Sequence, residues 1–116
     1  GHFEVDLLGP IVVEETIQVG RHTTVTFKST NGQGELNGDH ARQVLKVSGN
    51  GASARLDGVA VRDGWNDATH GGCIQVSGEG ATLTLDGGSA VSGCAAVGDH
   101  GLGGGLAIND GAEATI

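Results

Sequence analysis

The chain is short of aromatic side chains. Phe3, Phe27 and Trp65 are the only three among 116 residues, and there is no tyrosine and no methionine. Aromatic side chains dominate most compact cores, so their scarcity disfavours a globular core of the ordinary kind. Proline occurs once, at Pro10, which excludes collagen and a Pro-rich linker. Basic residues are also few: six Lys and Arg stand against fourteen Asp and Glu, for a net charge of −8. The sequence therefore offers no basic patch for nucleic acid, where such a patch supplies most of the affinity, and none for an anionic membrane surface. No apolar run approaches the ~18 residues of a transmembrane segment. No signal peptide is visible, and the first residue is Gly1 rather than an initiator methionine. Ala114-Thr115-Ile116 reads as mid-strand. The expectation is a trimmed piece of a longer protein.

Glycine is abundant, with 23 residues. The glycines alternate with Val, Ile, Leu, Ala and Thr, a pattern of short strands separated by tight turns. Four segments superimpose: Ile17-Gln18-Val19, Leu45-Lys46-Val47, Ile74-Gln75-Val76 and Leu106-Ala107-Ile108. Each is followed ten or eleven residues after its start by a second apolar anchor, at Phe27, Leu56, Leu85 and Ile116. A third strand candidate comes next, as Val59-Ala60-Val61 and Ser89-Ala90-Val91, with Glu35-Leu36-Asn37 a weaker instance. No 3.6-residue periodicity runs for ten positions, which excludes a helical repeat.

Three short strands per repeat predict an all-β fold, a right-handed parallel β-helix of about four coils of 28–32 residues, filling positions 17–116 behind an opening cap at 1–16. Side chains alternate across a strand. The inward columns are then Ile17/Leu45/Ile74/Leu106 and Val19/Val47/Val76/Ile108. In the second strand they are Thr23, Val25, Phe27; Ala52, Ala54, Leu56; Ala81, Leu83, Leu85; and Ala112, Ala114, Ile116. Like residues stack on like, as neighbouring strands ~4.8 Å apart require.

Several stretches resemble the repeats of polymorphic outer-membrane proteins and of pectate-lyase-like β-helix surface proteins. The Gly-Gly-x-Ile/Leu/Val signature of that group occurs as Gly71-Gly72-Cys73-Ile74 and Gly103-Gly104-Gly105-Leu106. Ala81-Thr82-Leu83-Thr84-Leu85-Asp86-Gly87, running into Ser89-Ala90-Val91-Ser92-Gly93, is similar to its connecting segments. Leu8-Gly9-Pro10-Ile11-Val12-Val13 with Thr16-Ile17-Gln18-Val19 resembles its opening coil. The group's Phe-x-x-Asn signature does not occur; Val91-Ser92-Gly93-Cys94 stands in its place. The resemblance implies a β-helix displayed outside the cell or on its surface.

Candidate chemistry is sparse. The outward column of the first strand, where β-helical lyases and hydrolases carry their active groups, is Gln18, Lys46, Gln75 and Ala107. It holds no carboxylate, whereas glycoside hydrolysis ordinarily needs a pair of acids and calcium-assisted lyases need several oxygen ligands. Asp and His recur in the loops before each first strand, as Asp39-His40, Asp67 with His70, and Asp99-His100. Such pairs suit a metal site or acid–base work. They are equally ordinary turn residues tolerant of unusual backbone angles, and their offsets to the following strand differ. The outward Thr24/Thr26, Ser53/Arg55, Thr82/Thr84 and Glu113/Thr115 resemble an ice-binding face, but charge interrupts them. Threonine is also simply a good exposed strand former. Trp65 opens a loop and suits either packing beside the next coil or stacking on a sugar.

Cys73 and Cys94, the only cysteines, sit just before the first strand and just after the third strand of one coil. Those points approach in a triangular coil. Both a disulfide of extracellular type and two buried thiols fit, while zinc spacings are absent. The leading expectation is a non-catalytic module with no cofactor and no resident metal: a spacer, an adhesin or a building block. Its partners would be further coils of the same protein, other chains of an extracellular assembly, or carbohydrate. The alternative is a fragment of a carbohydrate-active β-helix enzyme, a lyase, hydrolase or epimerase.

Overall fold

The computed structural model describes residues 1–66, 72–96, 106–109 and 111–115. Every regular element among them is a β-strand. In chain order these are β1 (His2–Asp6), β2 (Pro10–Val12), β3 (Ile17–Val19), β4 (Thr24–Lys28), β5 (Glu35–Asn37), β6 (Leu45–Ser48), β7 (Ser53–Asp57), β8 (Ala60–Arg62), β9 (Trp65–Asn66), β10 (Ile74–Ser77), β11 (Thr82–Asp86), β12 (Ala90–Ser92), β13 (Ala95–Ala96), β14 (Leu106–Asn109) and β15 (Glu113–Thr115).

The strands form three parallel sheets. The first has the order β1-β4-β7-β11-β15, the second β2-β5-β8-β12 and the third β3-β6-β10-β14, with β9 and β13 forming a separate short pair. The chain thus visits the first, second and third sheets in turn and then begins again. Neighbours within a sheet come from successive rounds. In the third sheet the aligned residues are Ile17, Leu45, Ile74 and Leu106, which lie 28, 29 and 32 residues apart along the chain. The weak third-strand candidate at Glu35–Asn37 is a strand, aligned between β2 and β8. Trp65, expected to open a loop, instead lies in β9 beside Ala95.

Alternation within each strand decides what is buried. Leu45-Lys46-Val47-Ser48 and Ile74-Gln75-Val76-Ser77 bury their first and third residues and leave the other two half-exposed. Leu45, Val47, Ile74 and Val76 have no solvent exposure. In the first sheet, Val25, Ala54 and Leu83 share one column and Phe27, Leu56 and Leu85 another. The second sheet adds the column Leu36, Val61 and Val91. These columns meet in one hydrophobic core. Burying a Leu, Ile or Val side chain contributes roughly 1.5–3 kcal/mol, so the stack of aliphatic columns supplies what the missing aromatics do not. Thr23, at the rim of its column, is half-exposed and donates its hydroxyl to Arg21 O.

The corners between strands repeat as well. Gly51, Gly80 and Gly111 all take a left-handed backbone, with φ of 75°, 84° and 85°, and His22 takes the same conformation at 57° in the first of these turns. Glycine adopts it without a Cβ clash, whereas histidine does so under strain.

β1 and β2 carry exposed apolar side chains. Phe3 and Val5 align with Val25 and Phe27, yet are 58% and 38% exposed. Leu8, Ile11 and Val12 are exposed beside them. All the exposed large hydrophobics among the described residues lie between positions 3 and 12.

Candidate functional site

The Asp and His residues expected to gather on one edge fall into two groups. Asp67, His70, Asp99 and His100 lie outside the described residues. Asp39 and His40 are exposed at the corner after β5, both left-handed, with φ of 58° and 53°. Their geometry is set by β5 and β8. The Asn37 side chain accepts the Asp39 N–H at 2.7 Å, and the His40 N–H donates to Asp63 O at 2.7 Å.

Asp63, which follows β8 and belongs to no motif, brings a second carboxylate to this corner. It also has a left-handed backbone, with φ 56°. Its Oδ2 accepts Asn37 Nδ2 at 3.2 Å, and its Oδ1 stands 3.6 Å from His40 Nε2. At that distance His40 and Asp63 attract when the imidazole is protonated, but they share no hydrogen bond, and general acid–base work needs a reach of about 2.6–3.2 Å. The His40 side chain is 71% exposed, so it is weakly held. No group of three or more His, Cys, Asp or Glu side chains among the described residues is arranged to hold a metal ion.

Cys73 and Cys94 are joined by a disulfide, with Cα atoms 5.4 Å apart. The bond links the start of β10 to the end of β12, so one round of three strands becomes a covalent ring. Gly64 passes over this bond, and its N–H donates to Cys73 Sγ at 3.3 Å.

Comparison with known proteins gives no match to a family model, to a curated protein or to a solved structure. The surface chemistry therefore has to be read from this chain alone.

Gln18, Lys46 and Gln75, expected as an outward column, lie in register on the third sheet, and Ala107 aligns with Gln75. Gln75 Oε1 accepts from Gln43 Nε2 at 3.4 Å. On the first sheet the outward residues Thr24, Ser53, Thr82 and Glu113 align, as do Thr26, Arg55, Thr84 and Thr115. Thr82 Oγ1 donates to Ser53 Oγ at 2.9 Å, and Arg55 forms an ion pair with Asp86. The threonines are thus crossed by charge rather than presented as a uniform array.

Three Lys/Arg–carboxylate pairs are described: Lys28–Glu4, Arg55–Asp86 and Arg62–Glu35. Each joins neighbouring strands diagonally, two residues off the aligned position, since Glu4 aligns with Thr26, Arg55 with Thr84 and Glu35 with Ala60. Sequence order hid this pattern, because the partners lie 24 to 31 residues apart (Glu4 to Lys28, Arg55 to Asp86). Lys28 holds the Glu4 carboxyl below its ordinary value, chiefly by hydrogen bonding and then by charge. Asp6 is lowered too, by hydrogen bonds from the Thr30 N–H and hydroxyl. Two shallow grooves lie at corners, one around Lys28, Asp57 and Gly87 and one around Arg21, Asn50 and Glu79. Each contains a cation with a carboxylate, and neither groups two carboxylates with a histidine.

Proposed function

We propose that the chain winds as a right-handed parallel β-helix and serves as a non-catalytic structural module of a secreted or cell-surface protein. In that role it acts as a spacer, an adhesive surface or a building block of an extracellular assembly, in the manner of the polymorphic outer-membrane and β-helix surface proteins that its repeats resemble. The observation that carries this reading is the cyclic order of strands with like residues aligned round after round. Connections between parallel strands of a sheet are right-handed in about 98% of cases, which supplies the hand. Stacked rounds give a rigid rod whose faces are broad and flat rather than cleft, a shape suited to spacing and contact.

One feature supports the setting. A disulfide persists in oxidising compartments, and the bond between Cys73 and Cys94 is compatible with secretion. No helix among the described residues is long and apolar enough to cross a membrane.

The reading is tested in two steps. A crystal structure should show one continuous right-handed winding, with Leu45, Ile74 and Leu106 stacked on one face; any other connection between the sheets overturns the fold. Incubation of the chain with a panel of acidic and neutral polysaccharides, followed by reducing-end and unsaturated-product assays, should give no turnover. Turnover abolished by His40→Ala or Asp63→Asn would overturn the non-catalytic role.

A further inference from the structure

We infer that Asn50 is a self-modifying site: in the folded protein its side-chain amide condenses with the backbone nitrogen of Gly51, with the imidazole of His22 as base, and then opens to aspartate and isoaspartate. This goes beyond the structural role proposed above and does not depend on it.

A backbone nitrogen reaches the side-chain carbonyl carbon of a preceding asparagine most freely when it belongs to glycine, because no Cβ shields it. Asn-Gly occurs three times, at Asn31-Gly32, Asn37-Gly38 and Asn50-Gly51. The three are alike as dipeptides, and the fold separates them.

At the first two, both reacting groups are held. Asn31 Nδ2 donates to Leu8 O at 2.9 Å, its Oδ1 accepts the Gln33 N–H at 3.0 Å, and the Gly32 N–H donates to Ser29 O at 3.3 Å. Asn37 Nδ2 donates to the carboxylates of Asp63 and Glu35 at 3.2 and 3.4 Å, and its Oδ1 accepts the Asp39 N–H at 2.7 Å. The N–H of Gly38, a buried residue, donates to Arg62 O at 2.9 Å. Ring closure at either place first has to break these bonds.

Asn50 and Gly51 are both exposed. Among the described residues, neither the Asn50 side chain nor the Gly51 N–H has a hydrogen bond. The corner around them is fixed all the same, since the His22 N–H donates to Asn50 O at 3.0 Å and the Ala52 N–H to Gly49 O at 3.2 Å. His22 lies against the glycine. A Cβ on Gly51 would stand 3.0 Å from His22 Nδ1, so the missing side chain leaves the imidazole room beside the attacking nitrogen. A neutral imidazole nitrogen accepts a proton.

The imidazole takes the Gly51 amide proton as the nitrogen attacks Asn50 Cγ. The N–Cγ bond forms, the Cγ–Nδ2 bond breaks, and Nδ2 leaves as ammonia with the proton handed back by His22. Water then opens the cyclic imide at Cγ, giving aspartate, or at the backbone carbonyl carbon, giving isoaspartate. Either product adds a carboxylate to the groove lined by Arg21, Asn50 and Glu79.

The test incubates the whole chain at neutral pH and body temperature in heavy-oxygen water and follows it over weeks by tryptic mass spectrometry. Cleavage after Lys28, Arg42, Lys46 and Arg55 puts Asn31 and Asn37 in residues 29–42 and Asn50 in residues 47–55. Heavy oxygen should enter residues 47–55 at least several-fold faster than residues 29–42, with isoaspartate beside aspartate at position 50. In guanidinium chloride with the disulfide reduced, the three sites should convert at similar rates. His22→Gly, which suits the left-handed corner, should slow conversion at Asn50 several-fold and leave Asn31 and Asn37 as they were. Free imidazole added to that variant should restore the rate. Were the imidazole only a packing group, the looser glycine corner would keep or raise the rate instead. Folded protein that converts at Asn31 or Asn37 as fast as at Asn50, or not at all at Asn50, would overturn the site. An unchanged or faster rate in His22→Gly would overturn the part given to the histidine.

Discussion

The backbone N–H of Gly64 points at the sulfur of Cys73, 3.3 Å away. The chain leaving β8 has to cross the chain entering β10 at this point. A Cβ on Gly64 would collide with the carbonyl oxygen of Gly72 and stand 2.7 Å from Cys73 Cα and 2.9 Å from its sulfur. Gly64→Ala should therefore destabilise the protein by about 1–3 kcal/mol, read as a lower urea midpoint at unchanged slope. A neutral substitution would show that the crossing is looser than described.

The disulfide below Gly64 closes a loop with a sequence separation of 21. Constraint of the unfolded chain by a loop of this size is worth about 3 kcal/mol. Cys94→Ser paired with Cys73→Ala should lower stability by that order, and reduction of the parent protein should reproduce the loss. Equal stability of oxidised and reduced protein in equilibrium urea unfolding would refute the estimate.

His22 occupies the left-handed position that glycine fills at Gly51, Gly80 and Gly111. Relief of the strain outweighs the extra backbone entropy of glycine, so His22→Gly should raise stability by about 0.5 kcal/mol. Thermal melts of the two proteins side by side decide the sign. The reverse change, Gly80→Ala, should destabilise, since φ is 84° there and a Cβ would stand 2.7 Å from the Asn50 side-chain oxygen.

The attachment of β1 should depend on pH. Glu4 and Asp6 both titrate below their ordinary values of 4.5 and 3.8. Each group stabilises the fold fully above its unfolded value, and that contribution is lost as pH falls through the lower folded value. Lys28 is raised above its ordinary 10.5, chiefly by hydrogen bonding to Glu4. Its contribution is present below that value and is lost as pH rises through the folded one. Hydrogen exchange at the Phe3 and Val5 amides, which face β4, should accelerate relative to core amides below about pH 4 and again in strong alkali. Lys28→Met should remove the alkaline effect and leave the Asp6 component of the acid one. Parallel pH profiles for the two proteins would rule out the ion pair as the cause.

The strand faces were legible in the residues themselves. Leu45-Lys46-Val47 and Ile74-Gln75-Val76 alternate, and alternation is a local property that any extended segment obeys. The recurrence of such triplets placed Leu45, Ile74 and Leu106 in one column, because stacking rewards like above like. It also placed Cys73 and Cys94 at points that approach, and the fold brings their Cα atoms to 5.4 Å in a disulfide. Other features escaped the pattern. β1 was not evident as a strand, since Phe3 and Val5 show the right period but remain exposed, and it is Val25 and Phe27 in a later round that hold them.

The corner at His40 and Asp63 and the diagonal pairing of Lys28 with Glu4 each join segments from different rounds, and Gly64 passes over Cys73 within one round, nine residues away. Sequence by itself determined the alternation, the recurrence and the composition of the core, all of which depend on residues near one another along the chain. Tertiary structure alone decided which carboxylate meets which cation and which loop packs over which strand end. Those contacts are set by the register between paired strands and by the path of each corner, and neither is encoded in any single stretch of residues.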